Sequence, residues 1–181
     1  MRSIAYIGFG ANLGDPEETF FKAVEQIGNL PGTIVTKVSS LYKTDPVDLI
    51  DEGPEFLNAV FEVETELTYW KLIQCLRRIE RSLGKRRDHR SDRSRKIDLD
   101  LLLFGKKSFS DNGLEIPHPR MATRAFVLVP LVEIAADVVH PRSKLTLTEM
   151  LNKLAPDEIE GVRLFKEMKR TKGSLNCTGF S

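Results

Sequence analysis

The 181-residue sequence has only two cysteines, almost no net charge and no long apolar run, and each of these absences argues against a class of protein. Cys75 and Cys177 are too few for a disulfide framework, so we expect two free thiols in a reducing compartment. Twenty-seven basic and 26 acidic side chains leave a net charge of +1, which argues against binding nucleic acid or a membrane surface through overall charge. No apolar stretch approaches the roughly 18–20 residues that span a bilayer. We therefore expect a cytoplasmic protein with no nucleic-acid or membrane partner.

The composition is typical of a folded chain. Hydrophobic residues make up 41% and charged residues 29%, whereas disordered chains have fewer apolar residues and a larger net charge. The length suits one domain, since domains commonly run about 100–200 residues. Beyond Phe165 the chain becomes basic and rich in Gly and Ser. We predict a single domain over residues 1–165 and a disordered basic tail over residues 166–181.

Apolar periodicity predicts four main strands and four helices. The strands are expected at residues 3–10, 33–43, 56–66 and 97–104. The helices are expected from Pro16 to near Pro31, at residues 68–83 and 124–136, and from Thr146 to Leu154. A hairpin is expected through Asp111-Asn112-Gly113, returning along Leu114 to Ile116.

Capping patterns and the order of the elements indicate the fold. Asp15 with Glu18 and Thr146 with Glu149 have the spacing of capping boxes, and Thr123 is the expected cap of helix 124–136. Adjacent strands without an intervening helix imply antiparallel pairing, and strand–helix–strand units imply helices on one face of a mixed sheet. We therefore predict an α+β fold of ferredoxin-like type, a two-layer sandwich with a mixed or antiparallel sheet.

The glycines near the first strand do not form a dinucleotide fingerprint. In Gly8-Phe9-Gly10-Ala11-Asn12-Leu13-Gly14 the third glycine falls one residue late, and no acidic ribose partner follows in a βαβ unit. We expect these glycines to let the strand reverse into the helix.

Asp98 and Asp100 form the most informative pair in the sequence. Alternate residues of a strand share a face, so both carboxylates point the same way, about 6.6–6.8 Å apart at Cα. The other face is expected to carry the core residues Ile97, Leu99, Leu101 and Leu103. Adjacent carboxylates repel each other unless a cation neutralises them, and Mg²⁺ suits such a site because it uses one or two carboxylates together with phosphate oxygens. These residues alone leave open both a metal site and two solvated aspartates.

A basic segment leads directly into this strand. Residues 85–96 contain seven Lys or Arg side chains, two Asp and no apolar side chain, so the segment is expected to be an exposed loop. Cations for phosphate oxygens beside carboxylates for metals are the two components that phosphoryl transfer requires. The combination therefore favours a phosphoryl-transfer site more strongly than either part does.

Two isolated polar residues are further candidates. His118 lies between two prolines, which hold the backbone stiff and could direct the imidazole at a phosphate. Asn58 is polar within an apolar strand, where its amide could pair with a flat heterocycle. A structural histidine and a satisfied buried amide are the alternatives, and both stay open on these residues alone.

Taken together, the motifs resemble the 6-hydroxymethyl-7,8-dihydropterin pyrophosphokinase family of folate biosynthesis, from about Ile4 to Leu154. The resemblance lies in the order and spacing of Gly10-Ala11-Asn12-Leu13-Gly14, Ser39-Ser40-Leu41-Tyr42-Lys43-Thr44, Phe56-Leu57-Asn58-Ala59, Ile79-Glu80, Arg95-Lys96-Ile97-Asp98-Leu99-Asp100, Leu103-Phe104-Gly105, Ile116-Pro117-His118-Pro119 and Arg124-Ala125-Phe126-Val127-Leu128-Val129-Pro130-Leu131.

The resemblance implies an enzyme that transfers pyrophosphate from ATP to the pterin hydroxymethyl group and releases AMP. It implies two Mg²⁺ ions held by Asp98 and Asp100, with Arg87 and Arg95 joining them as catalytic residues. ATP contacts are implied for Glu80, Lys85, Arg87, Arg95, Leu101, His118 and Arg124. Pterin contacts are implied for Thr44, Asp45, Val47, Phe56, Asn58 and Phe126, with the ring between the two phenylalanines. We expect a monomer whose partners are these small molecules.

The sequence departs from the family in the basic loop. The family commonly has Arg-Trp-Gly-Pro-Arg before the Asp-x-Asp strand, where this chain has Ser91-Asp92-Arg93-Ser94-Arg95. Lys85 replaces the usual Arg, and Pro119 follows His118 where an aromatic residue is frequent. The way this loop closes over substrates is therefore expected to differ.

Two other functions fit part of the pattern. Ferredoxin-like sheets can bind single-stranded RNA, but this requires aromatic side chains on the open sheet face beside a basic patch, and aromatic residues total only 8%. A metal-dependent nucleotidyltransferase could use the same carboxylate pair, but it would release pyrophosphate from ATP and not AMP.

We predict that residues 85–96 exchange their backbone amides rapidly in the ligand-free protein and become protected when a nonhydrolysable ATP analogue and Mg²⁺ supply countercharge. Hydrogen exchange with and without these ligands measures the difference. Equal and strong protection in both states would contradict the prediction.

Overall fold

The computed structural model describes residues 1–45, 53–84, 96–111 and 113–168. The strands are β1 (Ser3–Ala11), β2 (Thr33–Val38), β3 (Leu41–Thr44), β4 (Phe56–Thr65), β5 (Asp98–Phe104), β6 (Phe109–Asp111), β7 (Leu114–Ile116) and β8 (Arg163–Lys166). The α-helices are α1 (Pro16–Gly28), α2 (Tyr69–Ser82), α3 (Ala125–Ala135), α4 (Leu147–Leu151) and α5 (Pro156–Glu160).

The main sheet has the order β5-β1-β4-β3-β8, and β2 also pairs with β4. All of these pairings are antiparallel. Because β1 and β2 are both antiparallel to β4, they run parallel to each other, and α1 connects them. In the same way α2 connects the parallel strands β4 and β5 across β1. These two interlocked strand–helix–strand units give the α+β arrangement that the sequence predicts.

The helices α1 and α2 cover one face of the sheet. The sheet contributes alternate apolar side chains, among them Ile7, Phe9, Phe61 and Leu99, and the helices contribute Phe20, Ile27, Leu72 and Leu76. Each of these residues is at most 6% exposed. The burial of this apolar surface is the main contribution to the stability of the fold.

The helices α3 and α4 add a third layer on the opposite face, which the sequence analysis did not predict. Here the intervening strand residues Tyr6, Val60 and Leu102 pack against Leu128 and Leu131 of α3, and Leu147 and Met150 of α4 join them. Because the sheet carries apolar side chains on both faces, helices must pack on both faces to remove these side chains from water. Part of this second face is instead polar, and that part forms the site described below.

A β-bulge changes the pattern of β5. Tyr6 pairs with Leu103 and Ile7 pairs with Leu101, so Leu102 is an extra residue between them. Leu103 consequently belongs to the α3 side with Leu102 and not with Leu99 and Leu101. The prediction that Leu103 shares their face is therefore wrong.

Local capping is confirmed at two helices and wrong at a third. Asp15 Oδ1 accepts from Glu18 N at 2.9 Å, and Thr146 and Glu149 form a reciprocal capping box. Arg124, not Thr123, is the N-cap residue of α3, and it makes no side-chain capping hydrogen bond. Thr123 ends a short 3₁₀ turn, Met121–Thr123.

Three further differences concern the strands and the C-terminal region. The predicted strand 33–43 is divided into β2 and β3 at Ser39, whose hydroxyl accepts from Val60 N at 2.9 Å. The helix α5 and the strand β8 were not predicted from the sequence, and Lys166, which was assigned to the tail, ends β8. The remaining tail from residue 169, the basic residues 85–95 and Cys177 lie outside the described residues. Cys75 is a partly exposed free thiol.

Within the described ranges, no helix has both the length and the apolar character needed to cross a membrane.

We predict that Leu99→Ala lowers the free energy of unfolding by about 2–5 kcal/mol, because it leaves a cavity between the sheet and α2. Leu99 is only 6% exposed. Urea denaturation measures the change. The control is Ile4→Ala in β1, where the side chain is 45% exposed and the expected effect is within about 0.5 kcal/mol. Equal effects at the two positions would show that the core is placed wrongly.

Candidate functional site

The polar groups of the site lie on the sheet face that α3 covers in part, and its cavity lies at the β5 edge of the sheet, where α2 also lines it. Asp98 and Asp100 pair with Gly10 and Gly8 of β1, and Gly10 pairs on its other side with Asn58 of β4. The two carboxylates therefore share a face with Asn58, as strand alternation requires. Neighbouring strands lie about 4.7–4.9 Å apart, so roughly 10 Å of sheet separates the strand of Asp98 from that of Asn58.

Gly8 and Gly10 form a floor without side chains between the carboxylates and Asn58. The interpretation of both glycines as turn residues is wrong, because they lie inside β1. Only Gly14 lies in the turn, with a φ of +73°. A Cβ atom at Gly10 would approach Asn58 Oδ1 at 3.6 Å, and one at Gly8 would meet the Leu102 side chain at 3.4 Å. Because these two residues have no side chains, the backbone of β1 is left uncovered between the carboxylates and the Asn58 amide.

A cavity of about 420 Å³ adjoins the carboxylate pair. Its walls come from α2, β5, the β6–β7 hairpin and the segment that follows the hairpin. The lining residues are Ile73, Leu76, Arg77, Glu80, Asp98, Leu99, Asp100, Leu101, Ser110, Gly113, Leu114, Glu115, His118 and Pro119. Apolar walls with a few convergent polar groups are typical of small-molecule sites.

Glu80 connects α2 to the strand of the carboxylates. Its side chain is only 5% exposed, and Oε1 accepts from the backbone N–H of Leu99 at 2.8 Å. Leu99 lies between Asp98 and Asp100, so this bond fixes the strand where the two carboxylates project. Glu80 therefore both lines the cavity and positions one of its walls.

His118 is held beside Asp100 by its own backbone. Its N–H donates to the carbonyl of the bulged residue Leu102 at 2.9 Å. Its Nδ1 accepts from the backbone N–H of Arg120 at 3.3 Å, which assigns the proton of the neutral ring to Nε2. Nε2 lies 3.9 Å from Asp100 Oδ2. The imidazole thus presents an N–H donor towards the carboxylate pair.

Burial lowers the pKa of His118 below its ordinary value of 6.5. The negative charge of Asp100 opposes this shift, while the positive charges of Arg124 and Arg120 add to it. Because the pKa is lowered, His118 is neutral at pH 7.

The polar groups on the β3–β4 side are also fixed. Asn58 is 4% exposed, and its Nδ2 donates to Thr44 Oγ1 at 2.9 Å. Phe56 lies two residues before Asn58 in β4 and so shares its face. Asp45 is held by a two-pronged ion pair with Arg163, at 3.0 and 2.9 Å, and the hydrogen bond from Arg163 lowers the pKa of Asp45.

The helix α3 brings Arg124 and Phe126 to this face. Arg124 is its N-cap residue, and the Arg124 guanidinium lies 5.3 Å from the centre of the Phe126 ring. Towards its other end, α3 is joined to β3 through Glu133, which accepts from Ser40 N at 2.8 Å and from Tyr42 Oη at 3.0 Å. Burial and the neighbouring Glu133 carboxylate raise the pKa of Tyr42 to about 12. These bonds fix α3 relative to the strand that ends at Thr44.

The structure brings together five of the residues predicted to bind nucleotide or metal: Glu80, Asp98, Asp100, Leu101 and His118 all line the 420 Å³ cavity. Thr44, Phe56 and Asn58 lie on the neighbouring strands of the same sheet. Four predicted residues, Val47, Lys85, Arg87 and Arg95, lie outside the described residues.

Several residues that line the cavity were not predicted from the sequence. Arg77 lies three residues before Glu80 on α2, so i,i+3 spacing could have identified it. Ser110 and Glu115 come from the small hairpin, and nothing in the local sequence places that hairpin beside β5.

The donor set fits a magnesium ion in its chemistry. Asp98 and Asp100 provide hard carboxylate oxygens, and no cluster of three or more His, Cys, Asp or Glu side chains that could hold a metal occurs among residues 1–45, 53–84, 96–111 and 113–168. Mg²⁺ commonly uses only one or two carboxylates and completes its shell with phosphate oxygens and water.

The chain matches known pyrophosphokinases over most of its length. Residues 6–136 match the family model described as 7,8-dihydro-6-hydroxymethylpterin-pyrophosphokinase (HPPK). The 2-amino-4-hydroxy-6-hydroxymethyldihydropteridine pyrophosphokinase of Bacillus subtilis is 39% identical over 167 residues, covering 92% of this chain and 93% of the relative. The protein of the same name from Haemophilus influenzae is 42% identical over 151 residues, covering 83% and 92%. The folic acid synthesis protein fol1 of Schizosaccharomyces pombe is 35% identical over 97% of this chain but only 24% of its own length.

Solved structures support the fold. A crystal structure of HPPK-DHPS in complex with substrates gives a TM-score of 0.67 at 15% identity, covering 83% of this chain and 43% of that chain. The wild-type Plasmodium falciparum HPPK-DHPS with pteroate gives 0.67 at 14% identity, covering 84% and 42%. This chain therefore spans less than half the length of those two proteins, and at this identity the likeness concerns the fold alone.

We predict that Glu80→Ala lowers the free energy of unfolding by about 1–3 kcal/mol, because it leaves the buried N–H of Leu99 without its acceptor. Glu80→Gln retains an amide oxygen at that place and is expected to remain near wild-type stability. Thermal and urea denaturation of the two variants measure the difference. Equal destabilisation by both would show that the charge of Glu80, and not this hydrogen bond, matters for the fold.

Proposed function

Since this chain belongs to the 7,8-dihydro-6-hydroxymethylpterin-pyrophosphokinase family, we propose that the site on its second sheet face carries out that family's reaction with the residues assigned below. The protein is an ATP-dependent pyrophosphokinase of folate biosynthesis. It transfers pyrophosphate from ATP to the hydroxymethyl group of 6-hydroxymethyl-7,8-dihydropterin and releases AMP.

The observation that carries the assignment is the line Asp98–Gly10–Asn58 across three neighbouring strands. A shallow groove thus runs over Gly8 and Gly10 of β1. The carboxylate pair and the nucleotide-sized cavity lie at one end of this groove, and the buried amide of Asn58 lies at the other. A nucleotide in the cavity would bring its phosphates to Asp98 and Asp100. A flat heterocycle at Asn58 would then have its substituent directed along the groove towards those phosphates.

Asp98 and Asp100 would hold Mg²⁺, for which we propose two ions. When bound, Mg²⁺ neutralises charge on the triphosphate and polarises the phosphoryl group that is attacked. His118 would donate from Nε2–H to a phosphate oxygen, since its neutral ring presents that proton towards the carboxylates. Arg124 would add a positive charge at the same end of the groove.

Glu80 and Leu101 would contact the nucleotide from the cavity walls. For Lys85, Arg87 and Arg95 we propose further phosphate contacts, because guanidinium groups match phosphate oxygens in geometry and charge. Of these, Arg87 and Arg95 are also proposed to stabilise the charge that develops during transfer.

The pterin is proposed to bind on the β3–β4 side. Asn58 offers a donor and an acceptor in a dry environment, and Phe56 and Phe126 offer aromatic faces for a flat ring. Because the Asp45 carboxylate is bound to Arg163, its proposed contact is made by the backbone, as it is for Thr44 and Val47. Catalysis then depends on holding the two substrates in line.

We further propose that the protein acts as a cytoplasmic monomer on these small molecules and binds no nucleic acid. Tyr6 supports the absence of nucleic-acid binding, since this further aromatic residue of the same face is buried and donates to Glu62 Oε2 at 2.8 Å. A buried ring that is already hydrogen-bonded cannot stack on a nucleic-acid base.

Product analysis tests the proposal. The protein, ATP, Mg²⁺ and 6-hydroxymethyl-7,8-dihydropterin are incubated and the nucleotide product is identified. AMP and a pterin diphosphate are expected in equal amounts. Release of pyrophosphate would indicate a nucleotidyltransferase, and binding of single-stranded RNA without turnover of ATP would indicate an RNA-binding module.

We predict that Asn58→Ala weakens pterin binding by about 1–3 kcal/mol through the loss of hydrogen bonds in a buried site. Phe126→Ala is expected to weaken the same affinity through lost stacking and apolar contact. Titration calorimetry with the pterin and, separately, with an ATP analogue measures both affinities. A loss of ATP affinity as large as the loss of pterin affinity would contradict the placement of the two substrates.

We also predict that Gly10→Val abolishes detectable pterin binding, because the added side chain would occupy the floor between Asp98 and Asn58. The strand is expected to tolerate the change, since valine favours extended backbone and, among the described residues, a Cβ at this position comes within 4 Å of Asn58 Oδ1 alone, at 3.6 Å. The melting temperature is the control and is expected to stay within a few degrees of wild type. Normal pterin affinity in this variant would exclude the groove as the binding site.

A further inference from the structure

The β6–β7 hairpin forms one wall of the 420 Å³ cavity, through Ser110, Gly113, Leu114 and Glu115. Each of its strands has only three residues, and an isolated two-stranded hairpin is marginally stable in water. The main sheet does not extend into it, because β6 and β7 pair only with each other in the described part of the chain. The position of this wall therefore depends on contacts from outside the hairpin. Apolar packing of Phe109, Leu114 and Ile116 against the core is one set of these contacts, and a single arginine supplies the polar set.

Arg142 binds the open end of the hairpin. One terminal nitrogen of its guanidinium donates to the carbonyl oxygens of Phe109 at 3.0 Å and Ile116 at 3.5 Å, which are the residues paired at that end. The Nε atom donates to Ser108 Oγ at 3.1 Å, and the other terminal nitrogen pairs with the Glu115 carboxylate. A single planar side chain thus bridges both strands and the residue before them.

The segment that carries Arg142 is itself well fixed. His140 N donates to the Leu145 carbonyl at 2.8 Å, and Lys144 N donates to the His140 carbonyl at 3.0 Å. An isolated bridge joins Val139 to Thr146 at the start of α4. Arg142 therefore connects the hairpin to the α3–α4 connection, a part of the fold that lines neither the cavity nor the groove.

We propose that Arg142 is a positioning residue for nucleotide binding, an inference that rests on the proposed function of the cavity. It holds the hairpin in place as a cavity wall and, through Ile116, fixes the start of the segment that carries His118. It also neutralises Glu115, whose carboxylate would otherwise place an unpaired negative charge in a cavity that receives a polyphosphate. The planar array of N–H donors on the arginine guanidinium is required. A lysine ammonium cannot reach four acceptors that are spread over the two strands and the residue before them.

The test compares wild type with Arg142→Met and Arg142→Lys. The matched control is Arg2→Met, because Arg2 forms exposed ion pairs with Glu64 and Glu66 far along β1 from the site. The contacts of Arg142 with the hairpin are called the clamp. Hydrogen exchange of the amides of Phe109, Ser110 and Leu114–Ile116 in the ligand-free proteins measures how firmly the clamp holds the hairpin. Calorimetric affinities for a nonhydrolysable ATP analogue with Mg²⁺, and separately for the pterin, report on its consequence.

Both Arg142 variants are expected to exchange the hairpin amides faster and to bind the ATP analogue about tenfold more weakly, since ordering a loose wall must then accompany binding. The pterin affinity of both Arg142 variants is expected to match wild type. For Arg2→Met, the exchange of the hairpin amides and the affinity for the ATP analogue are also expected to match wild type. Unchanged exchange in Arg142→Met would overturn the clamp, and unchanged ATP affinity would overturn its role in binding. Wild-type behaviour of Arg142→Lys would also overturn it, because charge alone would then suffice. Failure of the proposed function has a separate sign, the absence of AMP formation by the wild-type protein.

Discussion

The pairing of β1 with β4 on one side and β5 on the other is the constraint on which the site depends. Side chains alternate between the two faces of a sheet, so a slip of one residue in the β1–β5 register would turn Asp98 and Asp100 into the apolar core. A slip in the β1–β4 register would do the same to Asn58. The observed register aligns Asp98 with Gly10 and Gly10 with Asn58. The core under α1 and α2 thereby fixes the polar groups on the opposite face.

The bulge at Leu102 joins this constraint to the rest of the site. It lets β5 direct Leu99 and Leu101 to one core and Leu102 and Leu103 to the other. The Leu102 carbonyl accepts the backbone N–H of His118, so the irregularity that redirects the strand also places the imidazole beside Asp100. The cavity is then completed by elements from distant parts of the chain, α2 through Glu80 and the β6–β7 hairpin through Arg142.

The sequence predicted those features that depend on a few neighbouring residues. The shared face of Asp98 and Asp100 follows from strand alternation, and the N-caps at Asp15 and Thr146 follow from three-residue spacings. Gly8 and Gly10 were misjudged because a glycine in a turn and a glycine beneath a groove have the same local pattern, and only the neighbouring strands distinguish them. The bulge at Leu102, the strand β8 and the clamp by Arg142 depend on contacts between residues far apart in sequence, which apolar periodicity does not encode.

The central claim is that Asp98 and Asp100 are the carboxylates that serve transfer of pyrophosphate, and single-turnover rates at saturating Mg²⁺ test it most directly. The account predicts that Asp98→Asn and Asp100→Asn each slow the transfer by roughly a thousandfold or more, since a lost metal ligand raises the barrier by several kcal/mol and each 1.36 kcal/mol is tenfold in rate. The melting temperatures of the ligand-free variants are expected to stay at or above the wild-type value, because one of two repelling charges is removed. Near-native rates in both variants would contradict the account.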